Sequence, residues 1–338
     1  MHVGINGYGR MGRLVMRVLQ GAQDLEVVAV NEPHASAETM ALLTAFDSVH
    51  GPWDVPCRAE EGTLIVGERS MAYTSFHEPG AIPWEALGVE LVLECSGAFR
   101  TLETLRPHLE RGAKRVVVSA PVRDGAPNIV LGVNDDDVVL TGASVVSAAS
   151  CTTNCLAPVV QVLHSAVGIR RGSVTTLHAP TNTQRVHDGA HEDPRRARAS
   201  LGNLIPTSTN SAYAVTMILP ELEGRLTSVA VRVPVMNASL VDAVFEMERD
   251  TTIEEVNGAF ETASRTAPLE GILGTERRPL VSADYVTDPR SGIVDLGMTR
   301  VIDDRMVGVF AWYDNEWGYA NRLAELASRV ASLAALRA

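Results

Sequence analysis

The opening stretch, up to Glu32, constrains the fold more than any other part of the chain. His2-Val-Gly-Ile-Asn6 reads as a short apolar strand, Gly7-Tyr-Gly-Arg-Met-Gly12 follows at once, and a helical pattern runs on through Leu14, Val15, Val18 and Leu19. Glu26-Val-Val-Ala-Val-Asn31 is a second buried strand and ends in Glu32. A lone G-x-G-x-x-G says little. Strand, glycines, helix, strand and terminal acid in succession describe a dinucleotide-binding βαβ unit. The glycines let the backbone turn sharply and approach a pyrophosphate, which sits on the helix N-terminus. Asn6, Gly7, Gly9, Arg10 and Met11 are the candidate cofactor residues at this turn. Glu32 lies where a carboxylate accepts hydrogen bonds from the adenosine ribose hydroxyls. It would also repel a 2′-phosphate, so NAD is expected over NADP.

Further βα units follow. Residues 89–95 read as a strand ending in Ser96-Gly97, and residues 101–112 as a helix capped by Thr101 and stopped by Gly112. Residues 115–119 form another strand, and residues 128–131 and 144–147 are expected to continue the sheet. Residues 50–79 alternate weakly and suit added antiparallel strands or loops. Alternating strands and helices argue a parallel, doubly wound sheet whose ligand crevice lies at the strand C-terminal ends, where Glu32, Ser96, Gly97 and Ser119 fall. In the second half, residues 172–178, 226–234, 239–248 and 305–313 read as strands, with 226–234 and 239–248 alternating as in one antiparallel sheet. Residues 251–264 read as an amphipathic helix, and a final helix runs from the Asp314 region to about Leu336. The expected fold is α/β: a Rossmann-type doubly wound parallel sheet plus an α+β catalytic domain with a mostly antiparallel sheet. The expected division is 1–150, completed by the C-terminal helix 315–338, and 151–314.

A length of 338 residues suits two domains with ample core, and a net charge of −12 removes the basic footprint that nucleic-acid binding needs. No apolar run is long enough to span a membrane. The chain enters its first strand with no signal peptide, so a cytoplasmic location is expected. The four cysteines, at 57, 95, 151 and 155, form neither a disulfide framework nor a C-x-x-C pair. No Cys/His cluster suggests a metal, and none is expected.

A strand-like run, residues 143–147, leads into Ser147-Ala-Ala-Ser-Cys-Thr-Thr-Asn-Cys155, and a helical pattern with Leu156, Val159, Val160 and Leu163 follows. Cys151 therefore falls at a helix start, with Ser150 as N-cap. Free N–H groups and the helix dipole there stabilise a thiolate, the nucleophilic form of cysteine. Cys155, one turn on, is expected to be buried. His178 closes a strand and is the best available base. A Cys–His pair would lower the thiol pKa and then shuttle the proton. A long polar stretch, residues 179–206, carries threonines and arginines of the kind that bind phosphate oxygens.

Ser150-Cys-Thr-Thr-Asn-Cys155 resembles the active-site signature of type I phosphorylating glyceraldehyde-3-phosphate dehydrogenases. Ile5-Asn-Gly-Tyr-Gly-Arg-Met-Gly-Arg13, Arg232-Val-Pro234 and Trp312-Tyr-Asp-Asn-Glu-Trp-Gly-Tyr319 resemble the same family in the same order, so the resemblance covers essentially the whole chain. It implies NAD-dependent oxidation of glyceraldehyde 3-phosphate, with Cys151 as nucleophile and His178 as base. It further implies that Ser96 and Ser119 line the cofactor site, Asn315 holds the nicotinamide carboxamide and Tyr319 stacks nearby. Thr181, Thr183 and Arg232 would hold the phosphate of the aldehyde. Ser150, Thr152, Thr209 and Arg195 would hold the attacking inorganic phosphate, with Asn210 beside them. Arg196 and Arg198 are expected in ion pairs of the loop, and a homotetramer is implied.

Three positions depart from the family pattern. Asn210 stands where glycine is usual and would have to adopt left-handed angles. Tyr213 replaces a common lysine, and Ala190 replaces a proline on the adenosine side, which loosens the preference for NAD. Glu32, where Asp is common, resembles the erythrose-4-phosphate dehydrogenase branch. That branch, an arsenate-using variant forming 1-arseno-3-phosphoglycerate, and a cofactor-binding regulatory or RNA-binding protein that has lost catalysis are the alternatives.

Overall fold

The computed structural model describes residues 1–336, and of Val138 only the backbone; residues 337 and 338 of the expected final helix lie outside the described residues. The chain divides into two compact units. The first comprises Met1–Ile129, Asp135–Ser150 and the chain from Ala320 on, and the second comprises Val130–Asn134 and Cys151–Tyr319.

In the first unit, β1 (His2–Asn6), α1 (Arg10–Leu19) and β2 (Glu26–Asn31) form the expected opening unit. After α2 (Ala37–Ala45) comes a short ribbon, β3 (Phe46–Asp47) and β4 (Gly51–Pro52). Then follow β5 (Cys57–Glu60), β6 (Thr63–Val66), β7 (Arg69–Thr74), β8 (Leu91–Glu94), α3 (Leu102–Glu110), β9 (Arg115–Val118), α4 (Asp137–Gly142) and β10 (Val145–Ser147). Eight strands make one sheet in the order β10-β9-β8-β1-β2-β7-β6-β5. The run from β10 to β7 is parallel, and β6 and β5 add an antiparallel edge. The chain builds outward from β1 in both directions, so β1 and β8 meet at the topological switch point, where open α/β sheets bind ligands.

Valines and leucines fill the strands because both sheet faces are covered. Val92, Val116 and Val118 pack with Trp84 and Leu105 in one buried cluster. Thr101 caps α3 as expected: its hydroxyl accepts the Thr104 N–H while the Thr104 hydroxyl accepts the Thr101 N–H, a reciprocal capping box. One expectation fails. Residues 128–131 form no strand; only an isolated bridge joins Asn128 to Ser147. The Asn128 side chain instead exchanges hydrogen bonds with both backbone groups of Val122, which holds a loop.

In the second unit, α5 (Cys151–Ala166) leads to β11 (Ile169–His178), β12 (Ile205–Thr207), α6 (Ser211–Ile218), β13 (Leu226–Arg232) and β14 (Ser239–Met247). Next come α7 (Ile253–Ala263), β15 (Leu273–Glu276), β16 (Gly292–Ile302), β17 (Met306–Tyr313) and α8 (Trp317–Ala335), which passes into the first unit at Ala320. The sheet order is β12-β13-β11-β14-β17-β16-β15. It is mostly antiparallel, with parallel pairing only of β11 with β13 and β15 with β16. β13 and β14 fall in one sheet, as expected, with β11 between them. No helix among the described residues is long and apolar enough to cross a membrane.

Gly7 has φ +84°, and a Cβ built there would lie 2.4 Å from the Ser96 backbone. Gly7→Ala is therefore expected to cost at least about 2 kcal/mol, from both the positive φ and the clash. Chemical denaturation checks this, and an unfolding midpoint equal to that of the parent chain would contradict it.

Candidate active site

The β1–α1 turn uses its glycines in three ways. Gly7 supplies the turn, a Cβ at Gly12 would meet the Gly7 carbonyl at 2.3 Å, and a Cβ at Gly9 would meet nothing within 4 Å. The space beside Gly9, at the N-terminus of a ten-residue helix with no acidic residue in its first turn, suits a pyrophosphate. Arg10 is paired through its guanidinium with Asp47. Met11 is half-buried beside it. Glu32 is buried, and its two oxygens accept the backbone N–H groups of Tyr8 and His34, each at 3.0 Å. Each oxygen keeps a lone pair for a ribose hydroxyl. Gly97 has φ +70° at the end of β8, and Ser119, past β9, gives its N–H to the Glu94 carbonyl. Asn6 and Ser96 have side chains already engaged with Glu94.

The second unit brings Cys151 and His178 together. Cys151 opens α5, His178 closes β11, and Sγ lies 3.5 Å from Nε2. The His178 ring stands edge-on to Tyr313, whose hydroxyl is 2.9 Å from that of Thr152. Nδ1 of His178 is 2.6 Å from the Ala179 carbonyl oxygen and 2.6 Å from Nη1 of Arg232. These contacts demand opposite tautomers. Donating to Ala179 leaves Nε2 an acceptor for the thiol proton; accepting from Arg232 makes Nε2 a donor toward sulfur or an oxyanion.

The electrostatics modify the expected thiolate. Burial pushes the Cys151 thiol up; the Thr152 hydroxyl, the Arg232 charge and the N–H groups of Thr152 and Cys151 pull it back only in part. Burial and then Arg232 hold His178 down at about 4, against the Ala179 carbonyl. Burial thus disfavours charge on both members of the pair, and the half-buried Arg232 guanidinium disfavours an imidazolium further. Cys155 is fully buried, and burial pushes its thiol up further, which leaves it inert.

Around this pair, the Thr181 and Thr183 hydroxyls lie 2.9 Å apart on an exposed turn. Arg232 also donates to the Ala179 carbonyl, two residues before that turn. Asn315 is buried, and its Oδ1 accepts the Ser239 hydroxyl at 2.7 Å, while Ser239 accepts the Ala179 N–H. That relay fixes the orientation of the amide and leaves Nδ2 as its donor end. Tyr319 is buried at the start of α8.

Arg195 and Thr209 line an open depression of about 510 Å³ with Asp193, Ser208 and Ser228, and Asn210 is exposed next to Thr209. Thr152 is buried against Tyr313, and Ser150 directly precedes Cys151. Asn210 has φ −101° as the residue before α6, so it never needed the left-handed angles that glycine would supply. Tyr213 is exposed. Arg196 pairs with Asp193 and Arg198 with Asp188, inside the loop as expected. Sequence reading did not single out Ser239, Tyr313 or Glu94. Tyr313 did lie within the quoted Trp312 motif, but nothing in the sequence marked its hydroxyl as part of the site.

Residues 1–102 match the family model described as glyceraldehyde 3-phosphate dehydrogenase, NAD binding domain, and residues 150–315 match that of the C-terminal domain. The chain belongs to the glyceraldehyde-3-phosphate dehydrogenase family. It is 52% identical over 331 residues to glyceraldehyde-3-phosphate dehydrogenase 3 of Nostoc sp., covering 98% of each chain. It is 46% identical over 330 residues to the enzyme of Geobacillus stearothermophilus, again covering 98% of each. NAD is the cofactor of this family's first domain, and the open Gly9 turn and the Glu32 lone pairs fit it.

A histidine held near 4 when folded but titrating near 6.5 when unfolded binds fewer protons in the folded state between those values. Its stability contribution, on the order of 3 kcal/mol, is present above about pH 6.5 and is lost as pH falls toward 4. His178→Asn is expected to flatten the fall in the urea midpoint between pH 7 and 5. Equal slopes in both proteins would contradict this.

Proposed function

We propose that the chain catalyses NAD-dependent oxidative phosphorylation of glyceraldehyde 3-phosphate to 1,3-bisphosphoglycerate. The observation that carries the reading is the 3.5 Å approach of Cys151 Sγ to His178 Nε2, with Arg232 and the Thr181–Thr183 hydroxyls nearby. The full-length relatives bear the name of this activity. Residues 1–150 with the chain from 315 on serve as the NAD-binding domain and residues 151–314 as the catalytic domain.

Arg232, Thr181 and Thr183 bind the phosphate of the aldehyde. Drawing Arg232 to that phosphate frees Nδ1–H of His178 to donate to the Ala179 carbonyl, which turns Nε2 into the acceptor the reaction needs first. The Cys151 sulfur bonds to the aldehyde carbon as its proton passes to Nε2, and the backbone N–H of Cys151 together with the His178 proton stabilises the oxyanion. His178 passes that proton to the oxyanion, which gives the neutral thiohemiacetal, and takes it back from the hydroxyl as the hydride leaves. NAD, when bound, supplies the hydride acceptor, and the Asn315 amide orients its carboxamide. The product on Cys151 is a thioester. Inorganic phosphate, received by Arg195, Thr209, Asn210 and the Ser150–Thr152 segment, attacks its carbonyl; the carbon–sulfur bond breaks and Cys151 is released.

A homotetramer is proposed, supported by the exposed apolar side chains Leu201, Leu204 and Met236 of the second unit. Four free cysteines support a reducing, cytoplasmic setting, and the net charge of −12 argues against a nucleic-acid partner.

NADH formation tests the reading, with glyceraldehyde 3-phosphate or erythrose 4-phosphate, each with phosphate, arsenate or neither anion. Turnover of the triose that depends on phosphate is expected. Cys151→Ser is expected to abolish it, and His178→Asn to slow it by about 10²–10⁴-fold. Anion-independent turnover of the tetrose, preference for arsenate, or no turnover at all would overturn the proposal.

A further inference from the structure

We propose that Glu94 is a positioning residue for NAD: its buried carboxylate locks the ends of β1 and β8 into the one hydrogen-bond polarity that the cofactor meets. The inference rests on the NAD reading above, and none of the chemical steps uses Glu94.

Glu94 closes β8, beside Asn6 at the end of β1, and its side chain is fully buried. One oxygen, Oε2, accepts from Nδ2 of Asn6 at 2.5 Å and from Nε2 of His108 at 3.1 Å. The other, Oε1, accepts the Ser96 backbone N–H at 2.8 Å and the Ser96 hydroxyl. The donors are themselves fixed from behind. Trp84 Nε1–H donates to Nδ1 of His108 at 2.9 Å, which places the imidazole proton on Nε2. Asn31 Nδ2 donates to Oδ1 of Asn6 at 2.8 Å, and Oδ1 of Asn31 accepts the Phe76 N–H. Two chains of donors therefore run toward a single carboxylate.

That direction decides what the cofactor edge presents. The Asn6 amide cannot flip without breaking its bond from Asn31. The Ser96 hydroxyl gives its proton to Glu94 and accepts the Ala98 N–H at 3.1 Å, so it offers a ligand a lone pair and no proton. The Gly7 backbone is packed directly on Ser96, so the pyrophosphate turn is seated on the same carboxylate.

A glutamine cannot take this place. With its amide nitrogen toward Ser96 it faces a backbone N–H that cannot reverse. Turned the other way it faces Asn6 and His108, which reverse only by breaking the bonds from Asn31 and Trp84. Either way one buried polar group is left unpaired.

The test is NAD affinity by isothermal calorimetry without aldehyde, beside thermal unfolding and the rate of Cys151 carbamidomethylation. Glu94→Gln is expected to weaken NAD binding by about tenfold, with kcat at saturating NAD and the aldehyde KM within about twofold of the parent. His108→Leu, which removes one donor, is expected to weaken it by about threefold, and His108→Gln, which keeps a donor near Nε2, to restore it to within about twofold. If Glu94→Gln does not fold, the His108 pair decides. Unchanged NAD affinity in Glu94→Gln overturns the inference. So does His108→Gln no better than His108→Leu, or carbamidomethylation that slows in step with lost affinity. A parent chain that binds no NAD overturns the cofactor reading and this inference together.

Discussion

The contact between Cys151 Sγ and His178 Nε2 is the constraint on which the rest of the site depends. The two groups come from the start of α5 and the end of β11, and each is there because its element stops or begins at that residue. Burial acts against charge on both, raising the thiol and lowering the imidazole. The pair therefore rests neutral and becomes reactive when charge is rearranged around it. Arg232 is the group positioned to do that, since it bears on sulfur and imidazole together. Under the proposed function, a phosphorylated aldehyde that engages the guanidinium is what would rearrange that charge.

The surroundings are organised to keep that pair in one geometry. Tyr313 packs on the His178 ring and holds Thr152, while Ser239 ties the Ala179 backbone to the Asn315 amide. In the other unit the same principle appears as the buried carboxylate under the glycine turn. In both places a buried polar network with its bonds made in one direction replaces the adaptability of water with a fixed presentation of donors and acceptors.

Much of this was legible in the residues. The Gly7–Gly12 turn, Glu32 after β2 and Cys151 at a helix start follow from local rules of spacing and chain geometry, and those rules hold here. The residues around Asn128 looked like a strand because they are apolar, but the Asn128 side chain diverted the backbone, and apolar content alone cannot see that. The alternation of β13 and β14 placed them in one sheet, but alternation reports which face is buried and not which strand lies alongside, so β11 between them was not legible. Ser239 and Glu94 escaped notice for a different reason: their importance lies in partners 76 and 88 residues away, and a single sequence does not record such pairs. The electrostatic balance at the thiol was less legible, because helix-end effects are local and readable, whereas desolvation depends on everything packed around the sulfur.

The account stands or falls on where the acyl group goes. Rapid mixing of the protein with NAD and glyceraldehyde 3-phosphate in phosphate-free buffer, followed by acid quench and peptide mass spectrometry, reads this directly. The account predicts a burst of NADH and a 3-phosphoglyceroyl group on Cys151 that disappears when phosphate is added before the quench. NADH formed with no acyl group on Cys151, or with the group on Cys155, would contradict it.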